Sequence, residues 1–154
     1  MGAAATGIEE KSIIGWVETV QILPDNISLL AKIDTGADNS SLNATDPIEF
    51  RKGGERWIRF STQMGKDKAM ILERPLERYT RIKRKSGTSL KRAVVLLDLC
   101  IGTLFKKDVP VNLANRTGFK YPMLIGRSYL KGTAIVDSAL TLTQKPACSG
   151  PSFE

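Results

Sequence analysis

Short apolar or alternating segments, separated by turn-forming residues, fill most of the chain. Residues 56–61 show the polar–apolar alternation of a half-buried strand most clearly. Pro24 and the two polar residues after it predict a turn between the first two strands, and Gly102 predicts a hairpin turn further on. The strands predicted in this way are residues 13–20, 27–33, 56–61, 93–101, 105–113, 133–137 and 140–143, and we expect the last two to pair with each other.

A single segment has the pattern of a helix: residues 127–131, which Gly132 follows. Strands this short and this frequent, with one short helix near the C-terminus, predict an all-β protein built as a closed barrel. The chain of 154 residues is long enough for one domain with its own core. We expect this domain to span residues 12–144, between flexible tails at 1–11 and 145–154.

The composition adds a basic charge balance to this picture. The chain has 23 lysine and arginine residues against 16 aspartate and glutamate residues, a formal net charge of +7. Such an excess suggests an acidic partner, although a solvated basic surface is the commoner explanation. No apolar run approaches the ~18 residues of a membrane span. The N-terminal residues lack a basic stretch followed by an apolar one, so we expect no intact secretory signal and leave a cytoplasmic and a periplasmic location both open.

The absence of histidine narrows the possible chemistry. It excludes Ser-His-Asp and Cys-His catalysis, and also the helix-borne histidine pair of common zinc proteases. The two cysteines, Cys100 and Cys148, are too few for a disulfide framework, and Cys100 lies in an apolar run where we expect a core residue. We therefore predict neither a metal site nor a cofactor.

The segment 31–42 carries the clearest chemical signal. An apolar strand ends at Asp34, a tight turn follows at Thr35 and Gly36, and a second strand leaves the turn. Glycine lets the backbone approach another chain or a ligand closely, and the threonine hydroxyl can lock the loop by hydrogen bonds. An isolated Asp-Thr-Gly turn is common, however, because aspartate accepts backbone hydrogen bonds in many turns. A second motif is therefore needed before this turn can be interpreted as part of a catalytic site.

That second motif lies in residues 121–130, where an apolar strand is followed by Gly126 and a short helix from Arg127. We expect Gly126 to allow close packing against the Asp34 loop. Together the two motifs resemble the aspartic proteases of retroviruses. Those enzymes have an Asp-Thr-Gly-Ala loop after a buried strand, and an apolar pair followed by Gly-Arg at the start of their only helix. The resemblance covers residues 12–143 in architecture and is specific around the two motifs.

The resemblance implies an active site shared between two chains. Its implied members are Asp34 as the catalytic carboxylate, Thr35, Gly36 and Ala37 as the active-site loop, and Asp38, Gly126 and Arg127 as supporting residues near a dimer interface. The reaction needs an acid and a base together, so a homodimer with two copies of Asp34 is expected. The two carboxylates would share one proton; the ionised one would activate a water and the protonated one would bind the scissile carbonyl.

A bacterial family labelled ATP-dependent zinc proteases is similar to this chain in residues 33–37, 57–60 and 121–127. The residues do not fit that label, because the chain has no Gly-x-x-x-x-Gly-Lys-Ser/Thr loop for phosphates and no set of zinc ligands. Some members of this family are associated with ATP-grasp glutamate ligases. The resemblance therefore makes glutamate-rich peptides a candidate substrate.

The chain departs from the viral enzymes between residues 60 and 94, where those enzymes carry the flap that closes over the substrate. A basic run at 78–92 here predicts a hairpin. A lid with these charges would favour acidic peptides through steering and ion pairing. The possible flap and substrate-binding residues are Arg81, Lys83, Arg84, Lys85, Ser86, Gly87 and Arg92, with the turn at Ser86 and Gly87.

Three functions therefore compete. The leading one is an aspartic-type endopeptidase that acts as a homodimer on peptide substrates. The alternative is a non-catalytic module of the same fold that binds peptides or mediates dimerisation, since a fold does not imply an activity. A nucleic-acid-binding β-domain is less favoured, because Tyr79 is the one aromatic residue in the basic run that could stack on bases.

Overall fold

The structure is a computed structural model that describes residues 10–63 and 68–148. Strands dominate it, and within the described residues no helix is both long and apolar enough to cross a membrane. The strands are β1 (Ser12–Ile14), β2 (Val17–Leu23), β3 (Ile27–Ile33), β4 (Ser40–Asn43), β5 (Thr45–Lys52), β6 (Glu55–Gln63), β7 (Ala69–Lys83), β8 (Ser89–Ile101), β9 (Leu104–Ala114), β10 (Met123–Ile125) and β11 (Ala134–Val136). The helix is α1 (Arg127–Leu130).

Six of the strands close into a barrel. Strands β2, β3, β10, β4, β9 and β8 follow one another in hydrogen-bonded order, and β8 pairs back onto β2. Strand β10 lies between β3 and β4, so two segments far apart in sequence form the centre of the sheet. The prediction of an all-β protein with a closed barrel and one short C-terminal helix is confirmed.

The barrel is filled by the alternate side chains that the sequence pattern places on one face of each strand. Strand β3 shows this most clearly, because Ile27, Leu29, Ala31 and Ile33 are buried and the residues between them are exposed. Burial of each large aliphatic side chain contributes roughly 1.5–3 kcal/mol to folding. The period-2 pattern thus determines which face of each strand turns inward.

Strands β5, β6 and β7 extend the sheet beyond the barrel from β8. We did not predict β5, because its sequence Thr-Asp-Pro-Ile-Glu-Phe-Arg-Lys is mostly polar and none of its side chains is buried. Strands β7 and β8 form the long hairpin predicted at 78–92. Its turn is closed by the Arg84 N–H, which donates to the Thr88 carbonyl at 2.9 Å, and Gly87 supplies the positive φ that the turn requires.

The prediction of one strand over residues 13–20 is wrong, and so is the pairing of 133–137 with 140–143. The chain bends after β1, so β1 pairs in parallel with β11 while β2 pairs with β3. Residues 140–143 instead run beside β2, with a single bridge between Val17 and Thr141. Hydrophobic alternation identifies strands but not their partners, and we had chosen the partner nearest in sequence.

A buried carboxylate fastens this C-terminal segment to the barrel. Glu18 has no solvent exposure and accepts hydrogen bonds from the Gly15 N–H and the Thr143 hydroxyl, each at 2.6 Å. The Thr143 N–H adds a third bond at 3.1 Å. Buried carboxylates are tolerated only when such donors replace water. Glu18 therefore replaces the strand pairing that the sequence predicted for this segment.

Cys100 and Cys148 form a disulfide, with their Cα atoms 6.0 Å apart. The expectation that Cys100 is a core residue is confirmed, because Cys100 is fully buried, but its cross-link to Cys148 was not predicted. The Ala147 N–H donates to the Gly102 carbonyl at 2.7 Å beside the bridge. Cys148 lies within the segment 145–154 that we predicted as a flexible tail. The last residues of this segment, 149–154, and residues 1–9 of the N-terminal tail lie outside the described residues.

Close backbone contact holds the turn before α1 against the loop that follows β3. The N–H groups of Arg127 and Ser128 donate to the carbonyls of Ala37 and Asp38 at 2.8 and 2.9 Å. A Cβ atom added to Gly126 would lie 2.5 Å from the carbonyl oxygen of Asn39, closer than real Cβ atoms approach backbone. Glycine at this position is therefore a requirement of the packing and not of its φ angle.

We predict that Cys148→Ser lowers the free energy of unfolding by about 4 kcal/mol, because the bridge spans 48 residues and restricts the unfolded chain. Denaturant unfolding under oxidising and reducing conditions measures this. A reductant should destabilise the wild type to the level of the variant and leave the variant unchanged. Equal stability of oxidised and reduced wild type would contradict the prediction.

We predict that Gly126→Ala destabilises the protein by about 1–3 kcal/mol, since two backbone segments must separate to admit the methyl group. Thermal unfolding followed by circular dichroism measures the change. Ser128→Ala is the matched control two residues away, because the Ser128 side chain is exposed, and we expect it to stay within about 0.5 kcal/mol of wild type. Equal melting temperatures for the two variants would be the contrary result.

Candidate active site

Asp34 lies at the point where β3 leaves the barrel. Its N–H donates to the Ile125 carbonyl at 2.8 Å, which extends the β3–β10 ladder by one residue. Its Oδ1 accepts the Gly36 N–H at 2.8 Å, and its own carbonyl accepts the Ala37 N–H at 3.2 Å. Asp34 is a partly buried residue, and its carboxylate is oriented by a tight turn on a rigid strand end.

The second motif, at Gly126 and Arg127, holds this loop in place by hydrogen bonds. The Ser40 hydroxyl accepts the Gly126 N–H at 3.1 Å, a contact that sequence reasoning missed. Arg127 donates from Nη1 to the Thr35 carbonyl at 2.9 Å, whereas its Nη2 is 4.0 Å from Asp38 Oδ1. The Arg127 and Asp38 side chains are 54% and 77% exposed, so this ion pair contributes little energy. Arg127 therefore stabilises the loop mainly through its hydrogen bond to the Thr35 carbonyl.

The outer side of the loop is open. Thr35, Gly36 and Asp38 are exposed, and a cavity of about 480 Å³ lies beside them. Its lining residues include Thr35, Asp38, Arg127, Leu130, Ala134 and Val136. The structure thus brings together all seven predicted residues of the Asp34 site, and their catalytic and supporting roles stay predictions.

The small β1–β11 sheet beside this cavity has an apolar outer face. Ile13 and Ile135 are direct cross-strand partners, and they are 55% and 54% exposed. Partners in register project to the same side of a sheet, so the two side chains form one patch. Single exposed apolar residues are normal on protein surfaces, but a paired patch next to an open loop is a candidate contact surface.

Asp34 shares a sheet face with a row of side chains that point away from the core. Successive pairings join Lys32 to Leu124, Leu124 to Ser41, and Ser41 to Asn112. The residues that alternate with them, such as Ile33 and Leu42, are buried in the barrel. Asp34 follows Lys32 by two residues and continues the ladder, so it lies on the same side as this row.

The loop between β9 and β10 lines this face and makes it cationic. Two cavities, of about 510 and 410 Å³, share Arg116, Phe119 and Lys120 in their linings. Lys32 adds a third cation, and no carboxylate is among the described residues that line either cavity. Sequence reasoning missed this loop because its basic residues are fewer than those of the run at 78–92.

The predicted flap residues fall into two groups. Arg84 and Arg92 line a cavity of about 570 Å³ between the β5–β6 and β7–β8 hairpins. The other five residues are exposed on the outer part of the β7–β8 hairpin: Arg81, Lys83, Lys85, Ser86 and Gly87. Closure of this hairpin over a substrate stays a prediction.

The cavity between the hairpins is bridged by a short hydrogen bond. The Tyr79 hydroxyl donates to Glu49 Oε1 at 2.6 Å. This bond lowers the pKa of Glu49 and raises the pKa of Tyr79, and Arg56 near the carboxylate lowers the Glu49 pKa further. Lys91 Nζ lies 3.8 Å from the centre of the Tyr79 ring. The β7–β8 hairpin is therefore anchored at its base to β5.

The described part of the chain offers no group of three His, Cys, Asp or Glu side chains that could hold a metal ion. The predicted chemistry rests on the carboxylate of Asp34 and on the charges around it. One carboxylate in one chain supplies either an acid or a base, but amide hydrolysis without a metal needs both at once.

Comparison with solved structures gives a close match. A Legionella pneumophila protein of unknown function (DUF785) superimposes with a TM-score of 0.75 and is 35% identical. The match covers 88% of this chain and all of that one. The whole barrel is therefore shared between the two proteins.

Comparison with curated proteins gives relatives that are much longer. A "Probable alpha-L-glutamate ligase" from Desulfotalea psychrophila is 31% identical over 118 residues, and one from Parasynechococcus marenigrum is 29% identical over 113 residues. These matches cover 73% and 71% of this chain but only 25% and 24% of the ligases. The chain thus spans about a quarter of the length of these relatives.

A family model described as "RimB-like: Retropepsin-like aspartic endopeptidase RimB" matches residues 13–147. The matched range contains both motifs, the whole barrel and all but one residue of the described C-terminal segment. The resemblance inferred from the two motifs is thereby confirmed, and the chain belongs to the RimB-like family of retropepsin-like aspartic endopeptidases.

Proposed function

We propose that the protein is an aspartic-type endopeptidase that pairs Asp34 with the Asp34 of a second copy. The observation that carries this proposal is the position of Asp34: a partly buried residue at a rigid strand end, with its carboxylate oriented by the Gly36 N–H, beside exposed loop residues. An open loop of this kind is what a half-site needs, since the second carboxylate must come from outside the chain.

The proposed reaction needs no group beyond the two carboxylates and a water. Two carboxyl groups in contact do not both ionise readily, so the pair holds one proton over a wide pH range. The ionised carboxylate takes a proton from the water, whose oxygen attacks the amide carbon. The protonated carboxyl donates a hydrogen bond to the carbonyl oxygen as negative charge develops there. Proton transfer to the amide nitrogen then releases the two peptide products.

Acidic peptides, including glutamate-rich ones, are the proposed substrates. The face that Asp34 shares carries Lys32, Arg116 and Lys120, with no carboxylate among the described residues of the two cavities there. Cationic clefts steer and hold anionic ligands. The curated relatives are named as glutamate ligases, and this supports glutamate-containing substrates independently of the charges.

A non-catalytic peptide-binding or dimerisation module is the second candidate. The curated relatives favour it, because a segment like this chain makes up about a quarter of proteins that are named as ligases. In such a protein the domain could hold a peptide for another active site. This candidate predicts that peptide affinity survives Asp34→Asn and that no cleavage occurs.

We expect the wild type to cleave members of a mixed peptide library, glutamate-rich peptides included, between about pH 4 and 7. Asp34→Asn should reduce the rate by about 10²–10⁴-fold or more, because it removes both the acid and the base. Mass spectrometry identifies the products. Asp108→Asn is the matched control: Asp108 is exposed, and asparagine tolerates its positive φ. A folded dimer that cleaves no peptide would support the binding module instead.

We further expect the wild type to be a dimer and Ile135→Asp to be a monomer, since a charge on the outer face of the β1–β11 sheet would have to be buried. Analytical ultracentrifugation measures this. Ile71→Asp is the control, because Ile71 is 69% exposed on the added sheet and should tolerate the charge. Loss of peptide cleavage should accompany loss of the dimer. A monomeric wild type with full activity would contradict the paired mechanism.

A further inference from the structure

Val94 pairs with Asn112 in the antiparallel β8–β9 ladder, so Arg92 lies opposite Ala114, two residues before Arg116. Neither arginine forms an ion pair with a carboxylate in the described part of the chain. Burial lowers the pKa of Arg116, and the positive charge of Arg92 lowers it further. The Nε of Arg92 is buried and has no hydrogen-bond partner. Two like charges and an unsatisfied buried donor are unfavourable, and a bound anion would relieve both.

Arg116 is held in place by bonds that use only part of its guanidinium. Its backbone N–H donates to Asn43 Oδ1 at 2.6 Å, which fixes the start of the β9–β10 loop. Its Nε donates to the Tyr121 carbonyl at 3.3 Å and its Nη1 to Ser41 Oγ at 3.5 Å. Its Nη2 takes part in no hydrogen bond with the described residues. A guanidinium that is oriented in this way is prepared to bind a carboxylate.

The position of Arg116 relative to Asp34 follows from the strand register. Arg116 contacts Ser41, which lies across β10 from Lys32, two residues before Asp34. Two strand spacings and two residues along the strand put the Cα atoms of Ser41 and Asp34 about 12 Å apart, and the Arg116 guanidinium lies beside Ser41. An extended peptide advances about 3.3–3.6 Å per residue, so this distance is about three residues of substrate.

We propose that Arg92 and Arg116 form a carboxylate-binding subsite that takes an acidic side chain about three residues from the bond that is cut. This inference rests on the proposed function and names the residues that would select the substrate. It makes Arg92 and Arg116, and not the exposed cations on the outer part of the β7–β8 hairpin, the main determinants of the preference for acidic peptides.

The aromatic residues of the same loop favour a peptide over a nucleic acid. The Arg116 guanidinium lies 4.8 Å from the centre of the Phe119 ring, and Lys120 Nζ lies 5.5 Å from that of Tyr121. Trp16 packs edge-on against Tyr121. Base stacking needs free aromatic faces, and cations of the protein already lie over two of these rings. A single carboxylate between two guanidiniums needs no such surface.

The test measures binding with Asp34→Asn as the background, so that no peptide is cut. Fluorescence anisotropy would compare a labelled poly-glutamate peptide with the poly-glutamine peptide of the same length at one fixed ionic strength. Arg92→Met and Arg116→Met should each weaken poly-glutamate binding by about ten-fold and change poly-glutamine binding by less than about two-fold. If both arginines bind one carboxylate, the double variant should lose less than the product of the single losses.

Two further variants control for charge and for folding. Lys107→Met removes one positive charge from an exposed position near the other end of β9, and it should leave both affinities within about two-fold. Arg116→Lys keeps the charge but loses the forked geometry, and it should still bind poly-glutamate more weakly than the parent. Thermal unfolding of each variant checks that the fold is retained.

Several results would overturn the subsite: equal losses for the two peptides, unchanged poly-glutamate affinity in both methionine variants, or a single-stranded oligonucleotide that displaces poly-glutamate and depends on Arg116. The proposed protease activity fails separately. Arginine-dependent poly-glutamate binding without cleavage by the wild type would keep the subsite and remove the peptidase. Cleavage whose preference for glutamate over glutamine survives both methionine variants would keep the peptidase and remove the subsite.

Discussion

The close approach of two backbone segments at Gly126 is the constraint on which the candidate site depends. The Asp34 loop and the turn before α1 are about 90 residues apart in sequence, yet Arg127 reaches the Thr35 carbonyl across a separation of 92 residues. The contact becomes possible because β10 inserts between β3 and β4 in the sheet. Any side chain at position 126 would push the loop away from its support. The orientation of Asp34 therefore depends on the whole barrel as well as on its own turn.

The same barrel leaves the loop exposed on one side. The strands that follow α1 do not cover it: β11 pairs with β1 and the next segment is drawn to β2 by Glu18. The C-terminal segment is then tied down by the disulfide to Cys100. These three attachments fix the end of the domain close to the barrel, so the β1–β11 sheet keeps an apolar face directed outward. A surface of this kind beside an unpaired carboxylate is the physical basis for the proposed dimer.

The basic residues discussed above lie in two regions that differ in solvent exposure: the β7–β8 hairpin and the β9–β10 loop. On the β7–β8 hairpin most of the cations are exposed and well solvated, so each has little to gain from a bound anion. At the β9–β10 loop, Arg116 is partly buried next to Arg92 and lacks a carboxylate partner among the described residues. An anion gains more at the second place because less water screens the interaction. Burial therefore matters more here than the number of charges.

Much of the site could be predicted from the sequence because its parts are local. The Asp34 turn, the Gly126–Arg127 motif and the short helix each depend on residues that are neighbours in the chain, and their types are restricted by turn geometry and close packing. The alternation of apolar residues likewise predicted most of the strands and the barrel class. The resemblance to the family followed from these features together.

The partners of the strands were decided by the tertiary structure alone. A period-2 pattern states which face is buried but not which strand lies beside it, so β1 and the last segment were assigned to the wrong neighbours. The disulfide between Cys100 and Cys148 and the bonds to Glu18 join residues whose separation carries no local signal. The same is true of Arg92 and Arg116. The sequence by itself determined the motifs and the fold class, because local geometry restricts those residues; only folding brought distant charges and thiols together.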